Sequence, residues 1–157
     1  MKPYVTIYTD GACLGNPGNG GYGIVILYED SRGLQSEELS QGYRKTTNNR
    51  MELLAVIKAL EALVDPTTVD LFSDSSYVVR SINEGWLESW KKNHWKSMST
   101  NKPVKNKPLW KQLDGLLKIH TVTFHWVKGH NGDQWNERCD ELAVEAANGK
   151  ELLDDKR

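Results

Sequence analysis

The stretch YVTIYTDGACLGNPGNGGYGIVILY, residues 4–28, decides how the chain begins to fold. Tyr4 to Thr9 and Gly21 to Tyr28 are rich in β-branched and aromatic residues and read as strands, with the turn-forming run GNPGNGG between them. So short a connection makes the two strands antiparallel neighbours. Asp10 closes the first strand, immediately before the glycines. A third strand-like run, roughly Glu37 to Arg44, follows a break at Glu29 to Gly33.

The pattern then changes period. From Asn48 to Val64 the apolar residues Leu53, Val56, Ile57, Leu60, Leu63 and Val64 fall on one helical face, and Asp65-Pro66 ends the helix. Val69 to Ser73 reads as a short buried strand, Ser75 to Asn83 as a helix, Val122 to Val127 as a strand and Gln134 to Ala147 as a final amphipathic helix. Strands followed by helix and strand in alternation predict a mixed sheet with helices packed on its faces.

A length of 157 residues fits one domain, and no apolar run approaches a membrane span. The start, MKPYVTIYTD, reads as a strand rather than a secretory signal, so a cytoplasmic location is expected. Cys13 and Cys139 sit in no metal-binding or disulfide pattern and are expected to be reduced structural thiols. The formal charge is only −1, but Trp86 to Gln112 carries seven lysines against one acid, Glu88, a local net +6 on an otherwise acidic body. Four of the six tryptophans, Trp86, Trp90, Trp95 and Trp110, are interleaved with those lysines. A localised basic patch is a docking surface for a polyanion, because its lysines displace the counterions that phosphates condense. The middle of the segment, KSMSTNKPVKNKP, reads as an exposed loop, and the last residues, GKELLDDKR, as a polar tail expected to fray.

Four carboxylates stand out. Asp10 and Asp74 end strands, where mixed and parallel sheets gather their ligands. Glu52 lies in the first turn of the first long helix and Asp140 on the last helix, flanking its apolar face. Taken singly, each has an ordinary explanation. Glu52 follows Asn49 at capping-box spacing, Asp10 and Asp74 adjoin turn residues, and Asp140 is one acid among several in ERCDELAVE.

Read together, the strings YTDGACLGNPGNGGYG (8–23), TTNNRMELLAVIKALEAL (46–63), SDSSYV (73–78) and WVKGHNGDQWNERCDELA (126–143) closely resemble the motif blocks of bacterial ribonuclease H type 1, in order and over nearly the whole chain. The resemblance implies an α/β fold, a ribonuclease H-like mixed five-stranded sheet with the first three strands antiparallel and helices on both faces. It implies a domain over residues 1–149, with a basic handle at about 86–112 and a C-terminal tail at 150–157. The implied activity is metal-dependent hydrolysis of the RNA strand of an RNA–DNA hybrid, leaving 5′-phosphate and 3′-hydroxyl ends without base specificity; a monomer is the default expectation. Asp10, Glu52, Asp74 and Asp140 fall on the family's metal-binding acids, for Mg²⁺ or Mn²⁺, with two ions expected when substrate is bound. His130 falls on its catalytic histidine. Gly11, Cys13, Asn16, Thr47, Asn48 and Asn49 are expected to face the hybrid near the cut, and Trp86, Trp90, Lys91, Lys92 and Lys96 to grip it through the handle. Ser76 stands where the common bacterial form has glutamine, which leaves that RNA contact open.

The chemistry agrees with these residue types. Hard divalent cations prefer oxygen ligands, and crowded carboxylates repel one another unless cations bind. Two other readings stay open at this point: a nuclease of the same fold that acts on duplex DNA, and a hybrid-binding module without activity.

Overall fold

The computed structural model describes residues 3–129 and 133–156. In chain order the elements are β1 (Tyr4–Cys13), β2 (Gly18–Asp30), β3 (Gly33–Thr46), α1 (Asn48–Glu61), β4 (Thr68–Ser73), α2 (Ser76–Asn83), α3 (Trp86–Lys92), α4 (Lys107–Ile119), β5 (Thr121–Trp126), α5 (Gln134–Ala147) and β6 (Leu152–Asp154). One sheet runs in the order β5-β4-β1-β2-β3-β6. β1, β2 and β3 form an antiparallel meander, whereas β4 lies parallel to β1, β5 to β4 and β6 to β3.

Helices cover both faces, and β2 shows why its sequence does not alternate. Ile24 and Ile26 enter the main core with α1 and α4, while Val25 and Leu27 pack on the opposite face against Cys139 and Leu142 of α5. A strand buried on both sides reads as a continuous apolar run. The main core closes around Trp110 of α4, which is fully buried and donates its indole N–H to the Tyr77 hydroxyl at 2.9 Å. Truncating a tryptophan in such a setting costs about 3–5 kcal/mol.

The structure corrects three expectations. The glycine run is not a turn alone: β2 begins at Gly18 rather than Gly21, so Gly18 and Gly20 already belong to the strand. A Cβ on Gly21 would lie 2.6 Å from the Ala143 carbonyl oxygen, and one on Gly23 would collide with that of Cys139. These glycines let α5 lie directly on the sheet. Next, α1 stops at Glu61, so Val64 lies beyond the buried face and is 96% exposed. Finally, the tail does not fray. Leu152–Asp154 adds a sixth strand along β3, and beyond it Asp155 forms a buried ion pair with Arg50 at 2.6 Å. The polar composition of the tail conceals that partner, which lies 105 residues away in sequence.

Within the basic segment, α3 and α4 flank a loop. Trp90 packs edge-on against Trp110, with ring centroids 5.3 Å apart, so it serves the core. Trp86 is 40% exposed, under the Arg80 guanidinium.

Candidate active site

The parallel pairing of β1 with β4 ends at Thr9 and Ser73, so the next residues, Asp10 and Asp74, lie side by side where the two strands part. Asp10 does not close its strand as expected, because β1 runs on to Cys13 paired with β2. α1 supplies the third acid. Its N-cap is Thr47, whose side chain accepts from the Arg50 N–H at 3.3 Å, so Glu52 is released from the capping role its spacing suggested. Gly11 sets how near α1 comes. A Cβ there would lie 2.5 Å from the Glu52 nitrogen, so only glycine permits this approach. One carboxylate oxygen each from Asp10, Glu52 and Asp74 falls within 4.8 Å of the others.

Asp10 and Glu52 are 4% and 5% exposed, a costly placement for two anions. Burial, reinforced by Glu52, Asp74 and Asp140, drives the Asp10 carboxyl far above the usual carboxylate range. Burial and Asp74 also raise Glu52, against hydrogen bonds from the Gly11 backbone and the Ser75 side chain. Even so, Glu52 Oε1 is buried with no hydrogen-bond partner. Crowded anions with an orphaned oxygen fit a hard cation, which would supply both the missing charge and the missing partner. Asp140, from α5, lines the same open cleft of about 470 Å³ but stands outside the tight group of three.

Two residues that sequence reasoning missed complete this centre. The Trp126 indole donates to the Asp74 carbonyl at 3.2 Å, tying the end of β4 to β5. Gly129 lies so close to Asp74 that a Cβ would be 2.7 Å from its Oδ2. Both lie inside WVKGHNGDQWNERCDELA, where the histidine and the acids carry the more obvious chemical signal. His130 itself lies outside the described residues. Asp133, which caps α5 by accepting from the N–H groups of Trp135 and Asn136 at 3.0 Å each, resumes the chain after it.

Of the expected substrate contacts, Gly11, Cys13, Asn48 and Asn49 line the carboxylate cleft, as does Ser76. The Cys13 thiol is tied to the carbonyls of Gly18 and Thr46 at 3.5 and 3.4 Å, and burial raises its pKa. A neighbouring cavity of about 420 Å³ opens between Asn16, Thr47 and Asn49 on one side and Lys105 and Asn106 on the other. It connects the start of α1 to the basic segment. Asn16 Oδ1 accepts from the Asn48 N–H at 3.3 Å, which holds this wall together. Lys91 departs from expectation: it pairs with Asp114 at 2.9 Å and Glu88 at 3.2 Å, whereas Lys92 and Lys96 have no ion pair among the described residues.

Fold and site thus define a hydrolase built on buried carboxylates at the crest of a mixed sheet. Comparison with known proteins narrows the class. The ribonuclease H family model matches residues 2–148. Ribonuclease H of Pseudoalteromonas atlantica is 56% identical over 97% of this chain and 95% of its own, and that of Lachnoclostridium phytofermentans 58% identical over 96% of each. Among solved structures, LC9-RNase H1, a type 1 enzyme with the type 2 active-site motif, superposes with a TM-score of 0.85 at 33% identity, covering 95% of this chain and 74% of that one. LC11-RNase H1, solved in complex with an RNA/DNA hybrid, gives 0.67 at 28% identity over 92% and 96%. The chain belongs to the ribonuclease H family. It is an endoribonuclease that hydrolyses the RNA strand of RNA–DNA hybrids.

Proposed function

We propose that Asp10, Glu52, Asp74 and Asp140 hold two Mg²⁺ ions, with Mn²⁺ as a substitute, and that cleavage leaves 5′-phosphate and 3′-hydroxyl ends. The observation that carries this is the packing of three carboxylates within 4.8 Å with a buried Glu52 oxygen left without a partner. Bound divalent cations supply Lewis acidity at the scissile phosphate and a water of lowered pKa. The protein's own part is to fix the acids: β1 and β4 deliver two, Gly11 lets α1 deliver the third, and α5 adds Asp140 at the rim.

The open cleft lets a helical substrate seat across it. Asn16, Thr47 and Asn49 present amide and hydroxyl groups toward one backbone phosphate, with Lys105 and Asn106 opposite. Gly11, Cys13 and Asn48 contribute main-chain and side-chain groups nearer the cut. Trp86, Lys92 and Lys96 extend the grip along the handle. Lys91 and Trp90 support it from beneath, through Asp114 and Trp110. Contacts to sugar and phosphate carry no base information, so cleavage is indifferent to sequence. His130 moves a proton at the leaving group or product phosphate and ligates no metal. The enzyme works as a monomer. A cytoplasmic setting suits its two free thiols, and no helix among the described residues is long and apolar enough to cross a membrane.

The test is cleavage of end-labelled hybrid, duplex DNA and duplex RNA with Mg²⁺ and with EDTA, using the wild type and Asp10→Asn. Metal-dependent cutting of the hybrid alone, abolished in the variant, is expected. Equal cutting of duplex DNA would overturn the substrate assignment, and activity in EDTA would overturn the role of the acids.

A further inference from the structure

Asp155, just beyond β6 and close to the chain end, is deeply engaged although it lies outside the carboxylate cluster. Its side chain is 5% exposed and that of Arg50 8%. It accepts from Arg50 Nε at 2.6 Å and from Arg50 Nη2 at 2.9 Å, a bidentate fork. It also accepts from the Thr46 hydroxyl at 2.7 Å. The Lys156 carbonyl takes a further bond from Nη2 at 3.3 Å.

The two residues it grips, Thr46 and Arg50, bracket Thr47, Asn48 and Asn49. One carboxylate therefore fixes both ends of the segment that forms one wall of the 420 Å³ cavity. The same network sets the other wall. Arg50 Nη1 donates to Asn106 Oδ1 at 3.1 Å, and Asn106 Nδ2 donates in turn to the Tyr77 hydroxyl at 3.3 Å. Asn106 needs such restraint, because it has a left-handed backbone (φ 59°) and begins α4 without a side-chain cap.

We propose that Asp155 is a positioning residue for hybrid binding. Through Arg50 it holds the start of α1 and the returning arm of the basic segment at the separation that one backbone phosphate requires. The inference rests on the reading of that cavity as a phosphate contact. Its partners are fixed in advance, so the binding step need not order them. A charge-assisted, bidentate pair is suited to that task, since it fixes angle as well as distance.

Asp155→Asn keeps the shape and removes the charge. The expected result is a KM for the hybrid raised about tenfold, because the charge-assisted fork that spaces the two walls is gone, with kcat within about twofold. Affinity measured by fluorescence anisotropy of a labelled hybrid in EDTA should fall by the same factor. Asp154→Asn is the control, because Asp154 belongs to the neighbouring strand and pairs with exposed Arg44, at 3.1 Å, away from the cavity. It should leave KM and affinity unchanged. A double-mutant cycle of Asp155→Asn with Asn106→Ala should be strongly non-additive, because both changes break one network. Asp155→Glu, which retains the charge, should restore most of the affinity and serves where the asparagine variant does not fold. Additive effects, or a variant that loses only thermal stability with KM unchanged, would overturn the positioning role. If the wild type itself fails to bind the hybrid, the phosphate reading falls first.

Discussion

Asp10→Asn should make the metal-free protein more stable while making it inactive, and the size of the gain follows from the site. Asp10 is 4% exposed among Glu52, Asp74 and Asp140, and its carboxyl is held far above its ordinary value by burial and by those three charges. The folded state therefore binds a proton that the unfolded state has released. At pH 7 the cost of that mismatch is bounded by the cost of keeping the acid protonated. From an ordinary pKa near 3.9 this is about 4 kcal/mol, at 1.36 kcal/mol per unit. Glu52 remains in the variant and still faces Asp74, so only part of the repulsion is relieved. We expect a gain of about 1–2 kcal/mol, or about 3–6 °C in Tm for a domain of this size.

The sign with pH is fixed. A carboxyl whose folded pKa is raised loses nothing below its unfolded pKa and destabilises progressively as pH rises toward the folded value. The advantage of the variant should thus be small near about pH 4 and grow toward neutrality. Thermal unfolding followed by circular dichroism in EDTA, at about pH 4 and about pH 7, measures it. Adding Mg²⁺ should raise the wild type and narrow the gap, because a ligand bound only by the folded state stabilises it. A variant less stable than the wild type at neutral pH in EDTA, or a gain that ignores pH, would refute the electrostatic account of the site.

Lys92→Ala with Lys96→Ala should flatten the salt dependence of hybrid binding, by roughly one unit of slope for each phosphate that the protein no longer neutralises. Lys91→Ala should instead lower Tm with little change of slope, since its charge is committed to Asp114; equal slopes for all variants would return these lysines to an ordinary solvated surface. Gly11→Ala should displace α1 and with it Glu52, cutting kcat by roughly 100-fold or more, as misplacement by about 1 Å does. Normal turnover in that variant would show that α1 can yield. His130→Ala should lower kcat roughly 10- to 100-fold with KM nearly constant, the low end of acid–base assistance. Full turnover across the pH profile would make the histidine a bystander, and loss of metal binding would make it a ligand.

What the sequence makes legible and what it hides divide along a physical line. Apolar periodicity and apolar runs expose buried elements, so β4 can be read from the alternation of Val69 and Leu71, and α1, buried on nearly all sides, from Leu53, Ile57 and Leu60. Even α4 carries such a signal in Leu109, Trp110 and Leu113, masked by the lysines around it. Asp74 is readable for the same reason, because it follows the apolar run of β4, whereas Asp10 marks where the pairing with β4 stops and not the end of β1, which runs on to Cys13. Contacts between distant, locally unremarkable residues are not legible. Nothing in the local sequence of Gly21 and Gly23 shows that α5 lies directly across them, and Asp155 resembles a solvated tail residue until Arg50 is found beneath it. Each depends on a partner far away in the chain, and local composition carries no trace of it. The consequence is functional as well as structural. The groups that perform chemistry can be inferred from their types and placement, whereas the groups that hold them at the right separation, Gly11 under Glu52 and Asp155 behind Arg50, emerge only from the packed structure.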